Sequence, residues 1–189
     1  MPKITWLELT ESIITCQRCP LSQATTPVPG MGNRRAAIAI VGMAPGAVEE
    51  RQQTPFVGRS GELLNHLLDL AGLRRASMFL TNTVHCRPKE EGHNRDPLPF
   101  ELIACRPWLD QELDLLQPKV VVLMGKTAIP IGFPGMRPSE ADGLVRAVGG
   151  RVYVASYHPA YALRQPSFAR NILAALRLAK ELTDDSTGI

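Results

Sequence analysis

The sequence has no apolar run near the ~20 residues that a membrane span requires. Its first residues, MPKITWLELTESIITC, carry Lys3, Glu8 and Glu11 where a signal peptide would be apolar. A soluble, cytoplasmic protein with no membrane partner is the expectation. There is no internal repeat and no low-complexity segment, which excludes solenoids and biased linkers. Cysteine is scarce as well. Four in 189 residues, in a compartment that keeps thiols reduced, make poor disulfide candidates, so metal or plain packing must account for them. The formal charge of +3 suits a polyanionic partner but is too small to identify one.

What is present is enough apolar material, 44%, for one globular core. Four short runs rich in β-branched residues read as strands covered on both faces: residues 37–43, 78–84, 120–125 and 152–157. Helical patterns lie between them. Ser60 stands before GELLNHLLDLAGL as a candidate cap, Leu63, Leu64, Leu67, Leu68 and Leu70 share one broad face, and Gly72 is a plausible stop. Two more helices are predicted over 99–116 and 167–182. The segment 131–150, rich in Gly and Pro, reads as an irregular connection or a short hairpin leading into the fourth strand. The fold class is therefore α/β: one domain, three layers, with a central, mostly parallel four-stranded sheet.

Each predicted strand runs straight into an unusual segment: GMAPGAVEE, then Asn82 and HCRP, then GKTA, then HPAYALR. Open α/β sheets bind ligands beyond the carboxyl ends of their strands, so one site assembled from all four is expected there. Taken singly, each motif has an ordinary reading. GMAPG, with Gly42, Met43, Ala44 and Gly46, is a tight turn whose bare amides can approach a ligand, or simply a turn. Phe56, in a glycine-flanked loop, can stack on a flat base or plug the core. Asn82 can read an imide edge, since its amide both donates and accepts, or it can end a strand. His158 is stiffened by Pro159, yet a lone histidine is more often structural. Cys16 and Cys19 form a C-x-x-C pair completed only by the distant Cys86 and Cys105, a spacing unlike a zinc ribbon; four thiolates also satisfy a [4Fe-4S] cluster, and on spacing alone iron-sulfur and zinc stand about even.

Taken together, GMAPGAVEE, PFVGRSGELL, TNTVHCRP with HNRDP, CRPWLDQEL, VVVLMGKTA and HPAYALR resemble the family 4 uracil-DNA glycosylases in order and spacing, from Cys16 to Arg164. The resemblance implies a base-excision repair enzyme that acts on uracil-containing DNA as a monomer and hydrolyses the glycosidic bond. It implies a [4Fe-4S] cluster on Cys16, Cys19, Cys86 and Cys105. It assigns stacking on the flipped uracil to Phe56 and base reading to Asn82, and places Glu49 and Asn94 near the sugar and the attacking water. His158 would hydrogen-bond the departing anion, helped by the amides of residues 42–46. DNA phosphates would meet helix N-termini near Ser60 and Lys126, aided by Arg59, Arg95 and Arg164.

Three departures accompany the resemblance. Met43 stands where the family usually has Glu. The stretch from Cys86 to Asn94 carries extra residues, KEEGH among them. Ala162 replaces a common leucine, which leaves Leu163 as the wedge for the vacated base stack. The basic loop ending in Ile-His of the family's DNA-crosslinking relatives is absent, which favours turnover, with His93 the one histidine in the insertion. Met43 also motivates a second reading, a non-catalytic nucleic-acid-binding relative. A third is a glycosylase shifted to hypoxanthine or xanthine.

Overall fold

The protein is described from a computed structural model, which covers residues 4–184. In chain order the strands are β1 (Met31–Gly32), β2 (Ile38–Gly42), β3 (Phe79–Asn82), β4 (Lys89–Glu90), β5 (His93–Asn94), β6 (Val120–Met124), β7 (Val145–Val148) and β8 (Arg151–Ser156). The helices are α1 (Trp6–Ile14), α2 (Leu21–Ala24), α3 (Ala47–Gln52), α4 (Arg59–Leu70), α5 (Pro99–Leu116), α6 (Pro138–Ala141), α7 (Pro159–Ala162) and α8 (Ala169–Asp184).

The four apolar runs form the parallel centre of the sheet, in the order β3-β2-β6-β8. Alternation along each strand serves two cores. Ile38, Ile40, Val120, Val122 and Val154 face α4 and α8, while Ala39, Val41, Val121, Leu123 and Ala155 face α5. Both faces are covered, which is why these strands read as unbroken apolar runs. On α4, Leu64 and Leu68 are fully buried, and truncating either to Ala would cost roughly 2–5 kcal/mol. Leu70 is 50% exposed, so the apolar face of this helix is narrower than the leucine pattern suggested. Gly72 closes the helix with φ +68. The helix α1 packs Leu9 and Ile13 against Trp108 of α5.

The sheet has six strands, two more than the apolar runs marked. The additions are the antiparallel edges β1 and β7. All their residues are exposed, so edge pairing supplies their hydrogen bonds without leaving a burial signature. The β7–β8 hairpin, turning at Gly149 and Gly150 with φ +60 and +79, is the short hairpin expected before the fourth strand.

Candidate active site

The parallel register brings Gly42 beside Asn82 at the carboxyl edge of the sheet. Pairing continues briefly past the strands, with the amides of Thr83 and Val84 donating to the carbonyls of Gly42 and Met43. These bonds hold the turn 42–46 open over a cavity of about 320 Å³. Met43, Ala44, Gly46, Glu49, Phe56, Ser60, Asn82, Asn94, His158 and Leu163 all line it. Gly42 is not itself a lining residue but lies directly behind three of them: a Cβ there would stand 2.5 Å from Phe56 Cζ, 2.6 Å from Asn82 Oδ1 and 3.3 Å from His158 Nε2. Three side chains from three segments thus converge on a spot that only glycine leaves free.

Asn82 is 3% exposed, and its side chain lines the cavity. An amide facing a cavity offers both a donor and an acceptor to a ligand with complementary groups. His158 lies opposite. The amide of Ala160 donates to its Nδ1 (3.1 Å), so the neutral ring carries its proton on Nε2, the atom nearer Gly42. Burial pulls its pKa down to about 4, against a smaller upward pull from Glu49. At neutral pH His158 is an uncharged donor aimed into the cavity.

Phe56 stacks toward His158, with centroids 6.1 Å apart and planes at 24°. Its backbone is left-handed, φ +54, a conformation that costs a bulky residue ~1–2 kcal/mol. Glu49 supports this loop from one side: Oε1 accepts from the amides of Val57 (3.1 Å) and Gly58 (2.7 Å), and Oε2 from Gly46 (3.1 Å). One buried carboxylate therefore ties the turn after β2 to the loop before α4.

The remaining expectations fare unevenly. Ser60 lies within the first turn of α4, whose N-cap is Gly58, so Ser60 is not the cap. Lys126 precedes a short 3-10 turn, residues 129–131, instead of an α-helix, so no helix N-terminus of that kind stands there. It pairs with Asp96 and lines a wider neighbouring groove of about 510 Å³ that passes Thr83 and Arg106. Arg164 lies over the Tyr161 ring, outside the cavity lining. Leu163 is 40% exposed at the rim. The KEEGH insertion forms the β4–β5 hairpin, with Glu91 and Gly92 at φ +49 and +82 as a two-residue turn. The hairpin returns Asn94 to the cavity, where its Oδ1 accepts from Arg87 Nε (2.6 Å).

A second pocket is lined by all four cysteines, with Trp108, His85 and Glu101. None forms a disulfide. Among the described residues no three His, Cys, Asp or Glu side chains group closely enough to hold a single metal ion. Donors nevertheless point at the sulfurs: Trp108 Nε1 to Cys16 Sγ (3.2 Å) and the His85 amide to Cys105 Sγ (3.2 Å). Burial pushes the Cys86 thiol up to about 12 and raises that of Cys19. Behind Cys105, His85 joins the buried Glu112 (3.2 Å), which also accepts from Thr81 Oγ1 and the Gly30 amide. Burial pulls the pKa of His85 down, but Glu112 and Cys105 outweigh it, and the net shift is upward. The sequence pattern passed over His85 and Glu112, although the His-Cys pair was the available signal.

The class of this α/β fold, with its cavity beyond the strand ends, comes from the family match: residues 29–179 match the Uracil DNA glycosylase superfamily. The chain belongs to that superfamily, in its type-4 branch. It is 36% identical over 188 residues to the Type-4 uracil-DNA glycosylase of Sulfurisphaera tokodaii, covering 93% of this chain and 83% of the relative. To that of Thermotoga maritima it is 35% identical over 178 residues, 91% of each chain. The Type-5 uracil-DNA glycosylase of Thermus thermophilus is 36% identical over 153 residues, but covers only 70% of this chain and 68% of its own.

Proposed function

We propose that this protein is a monofunctional uracil-DNA glycosylase of base-excision repair, which hydrolyses the N-glycosidic bond of deoxyuridine in DNA, releasing uracil and leaving an abasic site. The observation that carries the reading is the Asn82 amide and the neutral, Nε2-protonated His158 lining one cavity and converging on the space above Gly42. Uracil offers an acceptor at O4 and a donor at N3, and one Asn amide serves both.

A base inside a duplex cannot reach this cavity, so the nucleotide is unstacked and extruded at a cost of a few kcal/mol. Leu163, exposed at the rim, suits the wedge that fills the gap. Arg59 and Arg95 on the cavity wall, with the more distant Lys126 and Arg164, suit the phosphates. Phe56 provides the face on which the base stacks. As the C–N bond breaks, its electron pair goes to the base and positive charge grows on the sugar. His158 Nε2–H and the turn amides stabilise the anion, and the Glu49 carboxylate on the cavity wall stabilises the cation. Water then adds to the sugar, and the proton it loses passes through solvent to the uracil anion, which leaves as neutral uracil. Asn94, whose Nδ2 approaches Gly46 on the same side as Glu49, suits the orientation of the attacking water.

The four cysteines line one pocket, and four thiolates are the ligand set of a [4Fe-4S] cluster, the group that the resemblance to the family 4 enzymes implies. When bound, the cluster supplies a covalent clip joining the N-terminal segment, the stretch after β3 and α5. No step of the glycosidic chemistry is assigned to it.

The test is single-turnover base release from oligonucleotides with uracil, hypoxanthine or xanthine at one position. Uracil release well above the others is expected. Dominant release of a purine would make this a glycosylase of shifted specificity, and binding without any release a non-catalytic relative.

A further inference from the structure

We propose that Arg75 is a positioning residue for uracil excision: its guanidinium fork holds the left-handed backbone of Phe56 and thereby fixes the face on which the base stacks. The proposal rests on the assignment of Phe56 as the stacking platform. Arg75 lies in the 3-10 turn of residues 75–77 that leads into β3, nineteen residues along the chain from Phe56. Its Nη1 donates to the Phe56 carbonyl (3.0 Å) and to Asn65 Oδ1 (2.9 Å), and its Nη2 donates to the Pro55 carbonyl (2.7 Å). The peptide between Phe56 and Val57 is thus gripped at both ends, its carbonyl by a cation and its amide by the Glu49 carboxylate (3.1 Å).

Each partner in this clamp is needed for a definite reason. A left-handed phenylalanine persists only where its surroundings over-determine it. Gly61 lets the first turn of α4 press directly on the loop, since a Cβ there would stand 2.0 Å from the Phe56 carbonyl oxygen. That contact sets position, while the fork sets the orientation of two successive carbonyls, which a planar guanidinium does and an ammonium does not. Asn65, on α4, fixes the fork in turn. Because Arg75 sits at the root of the strand that ends in Asn82, the clamp also ties the stacking face to the reading amide and sets the width of the slot between them. With the clamp released, Phe56 would relax toward an ordinary backbone and its ring would leave the wall of the cavity.

The experiment compares Arg75→Met, Arg75→Lys and Asn65→Ala with the parent enzyme, measuring single-turnover uracil release, affinity for an oligonucleotide with an abasic site, and inhibition by free uracil. Arg75→Met is expected to release uracil at least tenfold more slowly and to be inhibited more weakly by free uracil. Affinity for abasic DNA should stay within twofold, because no phosphate contact is altered. Arg75→Lys should recover part of the loss, and Asn65→Ala should reproduce a smaller loss in the same two quantities. Equal falls in abasic-DNA affinity and in uracil release, or release within twofold of the parent, would overturn the proposal. Should Arg75→Met fail to fold, Asn65→Ala decides, and an unchanged rate and inhibition constant there also overturn it. Phe56→Ala measured alongside separates the premise from the clamp: if it keeps full activity, Phe56 is not the platform.

Discussion

Asn82 Oδ1 and His158 Nε2 stand on opposite sides of Gly42, 2.6 Å and 3.3 Å from where a Cβ on that glycine would lie. The absence of one side chain is what lets the Asn82 amide and the His158 ring approach one spot. Gly42→Ala should therefore leave the fold intact, since the strand register is set by backbone bonds, but should displace Phe56, Asn82 or His158. Misplacement of this size costs on the order of a hundredfold in rate. The check is single-turnover release alongside thermal unfolding. A folded Gly42→Ala protein with the parent's rate would show that the base binds elsewhere.

His158→Ala should slow uracil release by about a hundredfold or more while leaving DNA affinity nearly unchanged, because its hydrogen bond strengthens only as the anion forms. Equal loss in rate and affinity would make it a binding residue instead.

His158 also makes a pH prediction. Its folded pKa, about 4, lies below its unfolded value near 6.5, so between these limits the unfolded chain holds the extra proton. The contribution of His158 to stability is present above about pH 6.5 and is lost as pH falls toward 4. His158→Gln should flatten the stability curve over that window. A histidine resonance from position 158 titrating near 6.5 in the folded protein would contradict this.

Protein purified without oxygen should be brown, with a broad visible absorption band, and Cys86→Ser should lose the band along with thermal stability. Colourless protein carrying stoichiometric zinc would assign the cysteine pocket differently.

The sequence was most legible where one physical constraint acts alone. Strands buried on both faces must be apolar throughout, so β2, β3, β6 and β8 stood out, and the residues just past their ends marked the cavity. The edges β1 and β7 were silent, because exposed strands obey no burial pattern. Ser60 looked like a cap because serine often is one, but the bonding of the Gly58 amide to Glu49 decided where α4 begins. Lys126 suggested a helix start where the chain makes only a 3-10 turn. Arg75 and Glu112 could not be found by pattern at all, since their roles arise from contacts across long stretches of chain.

The reading of the base by Asn82 is the central claim. Cytosine presents a donor amine at C4 and a bare acceptor at N3, so it opposes the amide at both positions, and a site of buried polar groups rejects such a mismatch strongly. An aspartate at this position cannot donate to O4 when ionised, but it accepts from cytosine's amine and, when protonated, donates to N3. The direct measurement is single-turnover base release by the parent and Asn82→Asp from matched oligonucleotides bearing unpaired uracil or cytosine. The expected result is rapid uracil release by the parent, and for Asn82→Asp a large loss on uracil with weak, measurable release of cytosine. No uracil release by the cluster-intact parent, or an undiminished uracil-over-cytosine preference in Asn82→Asp, would contradict the account.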